Sequence, residues 1–108
     1  MLYIRVYKFE ELPPQLQKEI SISEGATIIQ AEFTKFLEKK SSMPESEFYQ
    51  KLGCDRTFAQ RSRPWRIINK FYRQNKEEID EIIASFLSEF VFTKNGDKIG
   101  RIEDAVDM

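Results

Sequence analysis

The sequence has no histidine and only one cysteine, Cys54, among its 108 residues. The first absence excludes imidazole acids and bases, Ser-His and Cys-His nucleophile arrangements, and the usual zinc ligand sets. The second excludes an internal disulfide, as suits a reducing compartment. Glycine is scarce, and its four occurrences stand apart at positions 25, 53, 96 and 100, so no glycine-rich loop is present to cradle a phosphate. Apolar runs are short. None approaches the roughly 18 consecutive apolar residues of a membrane span, and Met1-Leu2-Tyr3-Ile4-Arg5 lacks the charged-then-apolar layout of a secretory signal. We therefore expect a cytoplasmic protein that stays off membranes and carries no cofactor.

Apolar and aromatic residues are plentiful: nine Phe, four Tyr and one Trp fall within a 41% apolar fraction, enough to build a core and unlike the composition of a disordered chain. This length suits one domain, expected over residues 1–102, with an acidic, frayed tail at 103–108. From Leu2 to Phe9 the pattern of β-branched and aromatic residues predicts a strand. Pro13 and Pro14 break that ladder and open a short helix over 13–21. Ser21 and Ser23 offer caps to a second helix, 25–40, in which Ala26, Ile29, Phe33, Phe36 and Leu37 recur at steps of three and four. Ser42-Met43-Pro44-Glu45 matches a capping box ahead of a third helix that ends at Gly53.

Residues 53–63 read as a polar connection or a weak helix. Pro64, with Ser62 as a nearby cap, opens a basic amphipathic helix striped by Trp65, Ile68, Phe71 and Tyr72. Asn75-Lys76-Glu77-Glu78 has the form of another capping box and leads into an isoleucine-rich helix over 76–89. Asn95-Gly96, between Val91-Phe92-Thr93 and Lys98-Ile99-Gly100, predicts a two-residue hairpin turn. The expected fold class is α+β: the N-terminal strand and C-terminal hairpin make a small three-stranded antiparallel sheet packed against four or five helices.

A net charge of -1 conceals a strong asymmetry. Residues 51–76 hold eight basic residues against one acidic, a balance of +7, while the rest holds nine basic and seventeen acidic, a balance of -8. Guanidinium groups pair with carboxylate or phosphate, and aromatic rings anchor protein interfaces or stack on bases. Arg56, Arg61, Arg63, Trp65, Arg66, Lys70 and Arg73 therefore form the candidate partner-binding set. Two alternatives stand beside this one. In the structural alternative, Trp65, Ile68 and Phe71 serve the core while the cations face water or pair with the chain's own carboxylates. In the other, the segment binds nucleic acid directly, although no helix-turn-helix, zinc-finger or RNA-recognition signature accompanies it.

Other chemistry has less to build on. Cys54 stands between Gly53 and Asp55-Arg56, where a cation could stabilise a thiolate, but no base or resolving thiol accompanies it, so a passive thiol is expected. Glu10 with Glu11, Glu77 with Asp80 and Glu81, and Glu103 with Asp104 are carboxylate pairs of the kind found at helix starts and on surfaces, without a calcium-loop pattern. We expect neither a metal site nor catalytic residues.

Val6-Tyr7-Lys8-Phe9-Glu10-Glu11-Leu12, followed by Gln15 and Lys18, takes a strand ending in Phe-x-Glu-Leu into a helix; at the far end an isoleucine-rich helix runs into Phe92-Thr93-Lys94-Asn95-Gly96. In these two segments the chain resembles small phage and prophage proteins, some labelled antitoxin-like; the resemblance does not extend to residues 41–75. It implies a mobile-element setting in which a small protein binds and blocks a host machine. The implied partner is a host protein or ribonucleoprotein, and the implied role is non-enzymatic inhibition of defence, for example anti-CRISPR-like. The alternative is a nucleic-acid-binding regulator or the antitoxin of a toxin–antitoxin pair. The resemblance implies no active-site residues.

Overall fold

The structure, a computed structural model, describes residues 5–102. Helices α1 (Pro14–Glu38), α2 (Glu45–Leu52), α3 (Arg56–Arg61), α4 (Pro64–Gln74) and α5 (Lys76–Leu87) accompany strands β1 (Tyr7–Lys8), β2 (Phe90–Phe92) and β3 (Lys98–Arg101). The class is α+β, with one antiparallel sheet in the order β1-β2-β3. The chain forms two compact units, one from residues 5–25 with 81–102 and the other from residues 26–80.

In the first unit, β1 is shorter than the alternation predicts because Phe9–Glu11 turns into a 3-10 helix, its backbone closed by the Lys8 N–H donating to Glu11 Oε1 at 2.8 Å. Leu2, Tyr3 and Ile4 of the expected strand, and the expected tail, lie outside the described residues. Tyr7 pairs with Phe92 and Lys8 with Val91, so the central strand is β2. Successive strand side chains point to opposite faces, yet Phe90, Val91 and Phe92 are all buried, so β2 is covered on both sides. The Phe9 ring lies 6.0 Å from that of Phe92, and the Phe86 ring lies 4.8 Å from that of Phe90. Lys98 also sits over Phe90, with its ammonium 4.6 Å from the ring centre.

Two expectations fail in this unit, each for a physical reason. Ser21 and Ser23 do not start a helix, because α1 passes through them and through Gly25 without a break. Gly25 is a helix-interior residue where α1 and α5 come close: a Cβ there would lie 3.3 Å from Ile83 Cδ1. The hairpin is not a two-residue turn. Gly96 N–H donates to Thr93 O at 2.9 Å and Thr93 N–H to Asp97 O at 2.8 Å, so three residues, 94–96, form the loop. Gly96 has a φ of 90°, and no described non-glycine residue has a positive φ. Asn95 therefore never enters the left-handed region that a type I′ turn demands, and Gly96 supplies the bulge that follows a type I turn. The Thr93 hydroxyl takes the Asp97 N–H at 3.1 Å, giving the longer loop a partner for that amide.

In the second unit, Phe36 lies between Phe48 and Phe71, with ring centres 4.9 and 5.1 Å away, and Phe33 meets Phe71 edge-on at 5.5 Å. Leu52 and Ile79 complete its buried residues. The α2 helix ends at Gly53, whose φ of 85° is left-handed and whose missing Cβ would stand 2.7 Å from Lys70 O. Asn75 ties the same helices together by donating to Lys51 O at 2.9 Å and Phe71 O at 2.8 Å, an assignment different from the capping of α5 that its sequence context suggests. The capping box at 42–45 does not form either: Pro44 takes the cap position of α2, and the Ser42 hydroxyl donates to Lys39 O at 2.8 Å. Residues 26–80 carry eleven basic and eight acidic residues, a net +3, against six and ten, a net -4, in the remainder of the sequence.

Candidate partner-binding surface

The segment that reads as a polar connection contains a true helix, α3, because Asp55 caps it: its Oδ1 accepts the Phe58 N–H at 2.7 Å. About two turns on, Ser62 closes α3 instead of opening α4; Arg63 is the cap residue of α4 and Pro64 its first residue, where a missing N–H costs nothing. This short capped helix fixes Phe58, half-buried, beneath α4. There Arg66 and Lys70 both lie over its ring, at 5.6 and 5.4 Å from the centre. Arg73 follows at the next turn, so Arg66, Lys70 and Arg73 line one stripe of α4 opposite buried Phe71.

All six cations of the candidate set are exposed, and Trp65 is 59% exposed. Trp65 therefore departs from the apolar stripe expected for it; Phe71 alone in α4 is buried. One residue ahead of Arg66, Trp65 is rotated by about 100° from it, which places it at the margin of the basic stripe. Arg61 and Arg63 flank the junction of α3 and α4. Among the described residues only Arg56 of the set forms an ion pair, to Glu45 at 3.7 Å, and both partners are about two-thirds exposed. A pair so open to water contributes little, roughly 0–1 kcal/mol before screening. The cations are thus not neutralised by carboxylates of the described chain.

Away from this stripe, on the Pro64 and Ile67 side of α4, lies a feature the sequence reading misses. A groove of about 690 Å³ opens between the second half of α1, α2, α3 and the start of α4. Phe33, Leu37, Phe48, Tyr49, Leu52 and Ile67 supply its apolar surface, with Lys40, Glu45 and Arg56 among its polar lining. Leu37 is 43% exposed although the periodicity assigns it to the core. The sequence does hold a signal. Phe36-Leu37, Phe48-Tyr49 and Ile67-Ile68 are adjacent apolar pairs on helices, and neighbours about 100° apart widen the apolar stripe of each helix. The Lys40 ammonium stands 5.4 Å from the Phe48 ring centre.

No protein-family model, curated protein or solved structure matches the chain.

Cys54 is half-buried, and burial followed by the neighbouring Asp55 carboxylate pushes its thiol up, with Lys70 opposing. That direction disfavours the thiolate that a nucleophile or redox centre requires. Tyr72 donates to Asp80 Oδ1, and Lys76 bonds Oδ2 of the same carboxylate. The Lys76 and Tyr72 hydrogen bonds hold the Asp80 carboxyl below its ordinary range; reciprocally, the bond to Asp80 raises both Tyr72 and Lys76. This trio is a local clamp between α4 and α5. Among the described residues no group of three or more Cys, Asp or Glu is placed to hold a metal ion, and no helix is long and apolar enough to cross a membrane.

Proposed function

We propose that this chain is a non-enzymatic binding protein that acts by occupying an acidic surface of a partner protein through the basic face of α3 and α4. In the mobile-element setting implied by the resemblance at its two ends, that partner is a component of a host machine, free or within a ribonucleoprotein, whose activity is blocked on docking. The observation that carries this reading is the state of the cations: Arg61, Arg63, Arg66, Lys70 and Arg73 are exposed and have no ion-pair partner among the described residues. Like charges held together on short helices repel one another, and a complementary acidic surface relieves that repulsion while steering encounter. Exposed Trp65 beside them supplies the large, rigid aromatic that interface centres favour.

The test is a reversal of charge. Tagged wild-type protein and the Arg61→Glu, Arg63→Glu, Arg66→Glu triple variant are used as baits under nuclease treatment, with circular dichroism verifying that the fold is retained. A partner captured by the wild type and lost by the variant is expected. Equal capture by both refutes the assignment of the surface. Nucleic-acid binding makes a different forecast: a duplex would be retained by the wild type with an affinity falling about 10³-fold or more between 50 and 200 mM salt.

A further inference from the structure

The groove in residues 26–80 has a chemistry of its own, apart from the basic face of α4. Its volume of about 690 Å³ lies within the roughly 300–1,000 Å³ of sites that enclose a small molecule. Its wall is mostly hydrocarbon and aromatic ring, with Phe33 and Leu37 from α1, Phe48 and Tyr49 from α2, and Ile67 from α4. Leu37 is 43% exposed, so part of this wall is wetted and is stabilised when an apolar body covers it. The charges on the wall are few and unequal: Lys40 and Arg56 stand against one carboxylate, Glu45, an excess of one positive charge. Glu45 lies 3.7 Å from Arg56, which leaves Lys40 as the excess. Among the described residues Lys40 has no ion-pair partner. Its ammonium stands 5.4 Å from the ring centre of buried Phe48, which stacks on Phe36. A single unneutralised cation is thereby held against the aromatic floor.

We infer that the groove between α1, α2, α3 and α4 binds a medium-chain alkyl monocarboxylate, with its tail on Leu37, Phe48 and Ile67 and its carboxylate on Lys40. A hydrocarbon or an alcohol leaves the Lys40 charge without a counterion, an amine is repelled by it, and a polyanion finds only one net charge to meet. A lone carboxylate on an apolar tail matches both the wall and its charge. The ligand is taken up singly from solution, because the apolar wall lies in a concavity that one tail can enter and a flat bilayer cannot follow. The site is independent of the function proposed above, since of the basic set only Arg56 lines the groove.

The probes are decanoate, decan-1-ol and decylamine, which share one tail and differ in the charge of the head. Each is titrated into the full chain at neutral pH by isothermal calorimetry, below the concentration at which it forms micelles, and methyl NMR shifts at Leu37 and Ile67 report where it sits. Decanoate is expected to bind saturably with one site, about two- to fivefold more tightly than decanol, with decylamine the weakest. Lys40→Glu should invert the order and place decylamine above decanoate. Leu37→Glu should weaken decanoate about tenfold or more, by adding a negative charge to the wall and removing hydrocarbon from it. The Arg61→Glu, Arg63→Glu, Arg66→Glu triple variant should bind decanoate within about twofold of the wild type. Leu37 and Lys40 are exposed, so neither substitution empties the core, and an unchanged melting temperature verifies this. The head-group order is read in the wild type itself, so it stands whether or not a variant folds.

No heat and no methyl shift with decanoate up to ~1 mM, or equal affinity for the three heads, overturns the inference. So does a Lys40→Glu protein that keeps the wild-type order, or loss of decanoate binding in the triple Arg→Glu variant, which would move the carboxylate to α4. A concentration-dependent dimer in sedimentation that Leu37→Glu abolishes overturns it as well, because a second copy then covers the groove. Co-sedimentation with anionic phospholipid vesicles, without binding of free decanoate, assigns the wall to a membrane surface and has the same effect. None of these results bears on the basic face, whose own test is partner capture by the triple variant.

Discussion

Replacing Gly53 by alanine perturbs the second unit at its tightest point, and its cost can be worked from two separate quantities. The backbone at Gly53 has a φ of 85°, a region where an L side chain costs about 1–2 kcal/mol. The added Cβ would stand 2.7 Å from Lys70 O and 3.0 Å from Gln74 Cβ. A carbonyl oxygen within α4 cannot rotate aside, so the helix itself must shift, an overpacking penalty of about 1–3 kcal/mol. Against these stands a gain of about 0.4–1 kcal/mol from the lower freedom of the unfolded chain. The net loss is about 3 kcal/mol at the middle of these ranges, about 1–4.5 kcal/mol at their ends, against a typical stability of about 5–15 kcal/mol. At about 4–8 °C per kcal/mol the midrange loss of about 3 kcal/mol lowers the melting temperature by about 12–24 °C.

Two companions separate the contributions. Gly53→Asn tolerates the left-handed backbone but keeps the Cβ, so it should recover only the conformational part. Gly100→Ala, with nothing within 4 Å of the added atom, should stay within about 2 °C of the wild type at the same conversion. Differential scanning calorimetry reads all three. A Gly53→Ala protein melting within about 3 °C of the wild type, less than 1 kcal/mol, would falsify the close approach of α2 to α4 described here.

Asp55→Ala removes the cap that holds Phe58 N–H at 2.7 Å and should cost about 1 kcal/mol in urea unfolding. It should also loosen α3, read as faster amide exchange at Phe58 and Ala59. The Tyr72–Lys76–Asp80 clamp gives a pH signature with a definite sign. Because the Asp80 carboxyl is held below its ordinary 3.8, its contribution is present above that value and is lost as acid titrates the folded protein. Because Tyr72 and Lys76 are raised above 10.0 and 10.5, theirs is present below those values and is lost as alkali passes the folded ones. The melting-temperature difference between wild type and Asp80→Asn should therefore be widest between about pH 5 and 9 and shrink toward both extremes. A difference flat across pH contradicts the clamp. Its size should be modest, since the Lys76–Asp80 pair lies open to solvent.

The large periodic segments and the N-terminal strand with the C-terminal hairpin were legible because their signals are local. Proline, isoleucine spacing and Asn-Gly each act over a few residues. Boundaries were less so. Ser21, Ser23 and Gly25 carry the local marks of a helix break, and only the proximity of Ile83, far along the chain, shows why a glycine sits inside α1. The serine of Ser42-Met43-Pro44-Glu45 and the asparagine of Asn75-Lys76-Glu77-Glu78 have hydrogen-bonding side chains that found other carbonyls, at Lys39, Lys51 and Phe71. For the candidate surface, the cluster of cations was visible as composition, but their exposure and the fixing of Phe58 by the Asp55 cap depend on how α3 meets α4. The groove went unread because its residues come from four separate helices.

The sheet joins chain segments that are made far apart in time. Tyr7 pairs with Phe92, so β1 must wait on the ribosome until more than eighty further residues have been added and β2 has emerged. Residues 26–80 lie wholly between these two strands and hold their own buried aromatic stack. They can condense before β2 has been made, whereas the sheet closes only once β2 is available, at the entropic cost of a long loop. Premature termination after Asp80 would therefore release a chain whose middle is able to pack while Tyr7 and Lys8 remain without the strand they pair with.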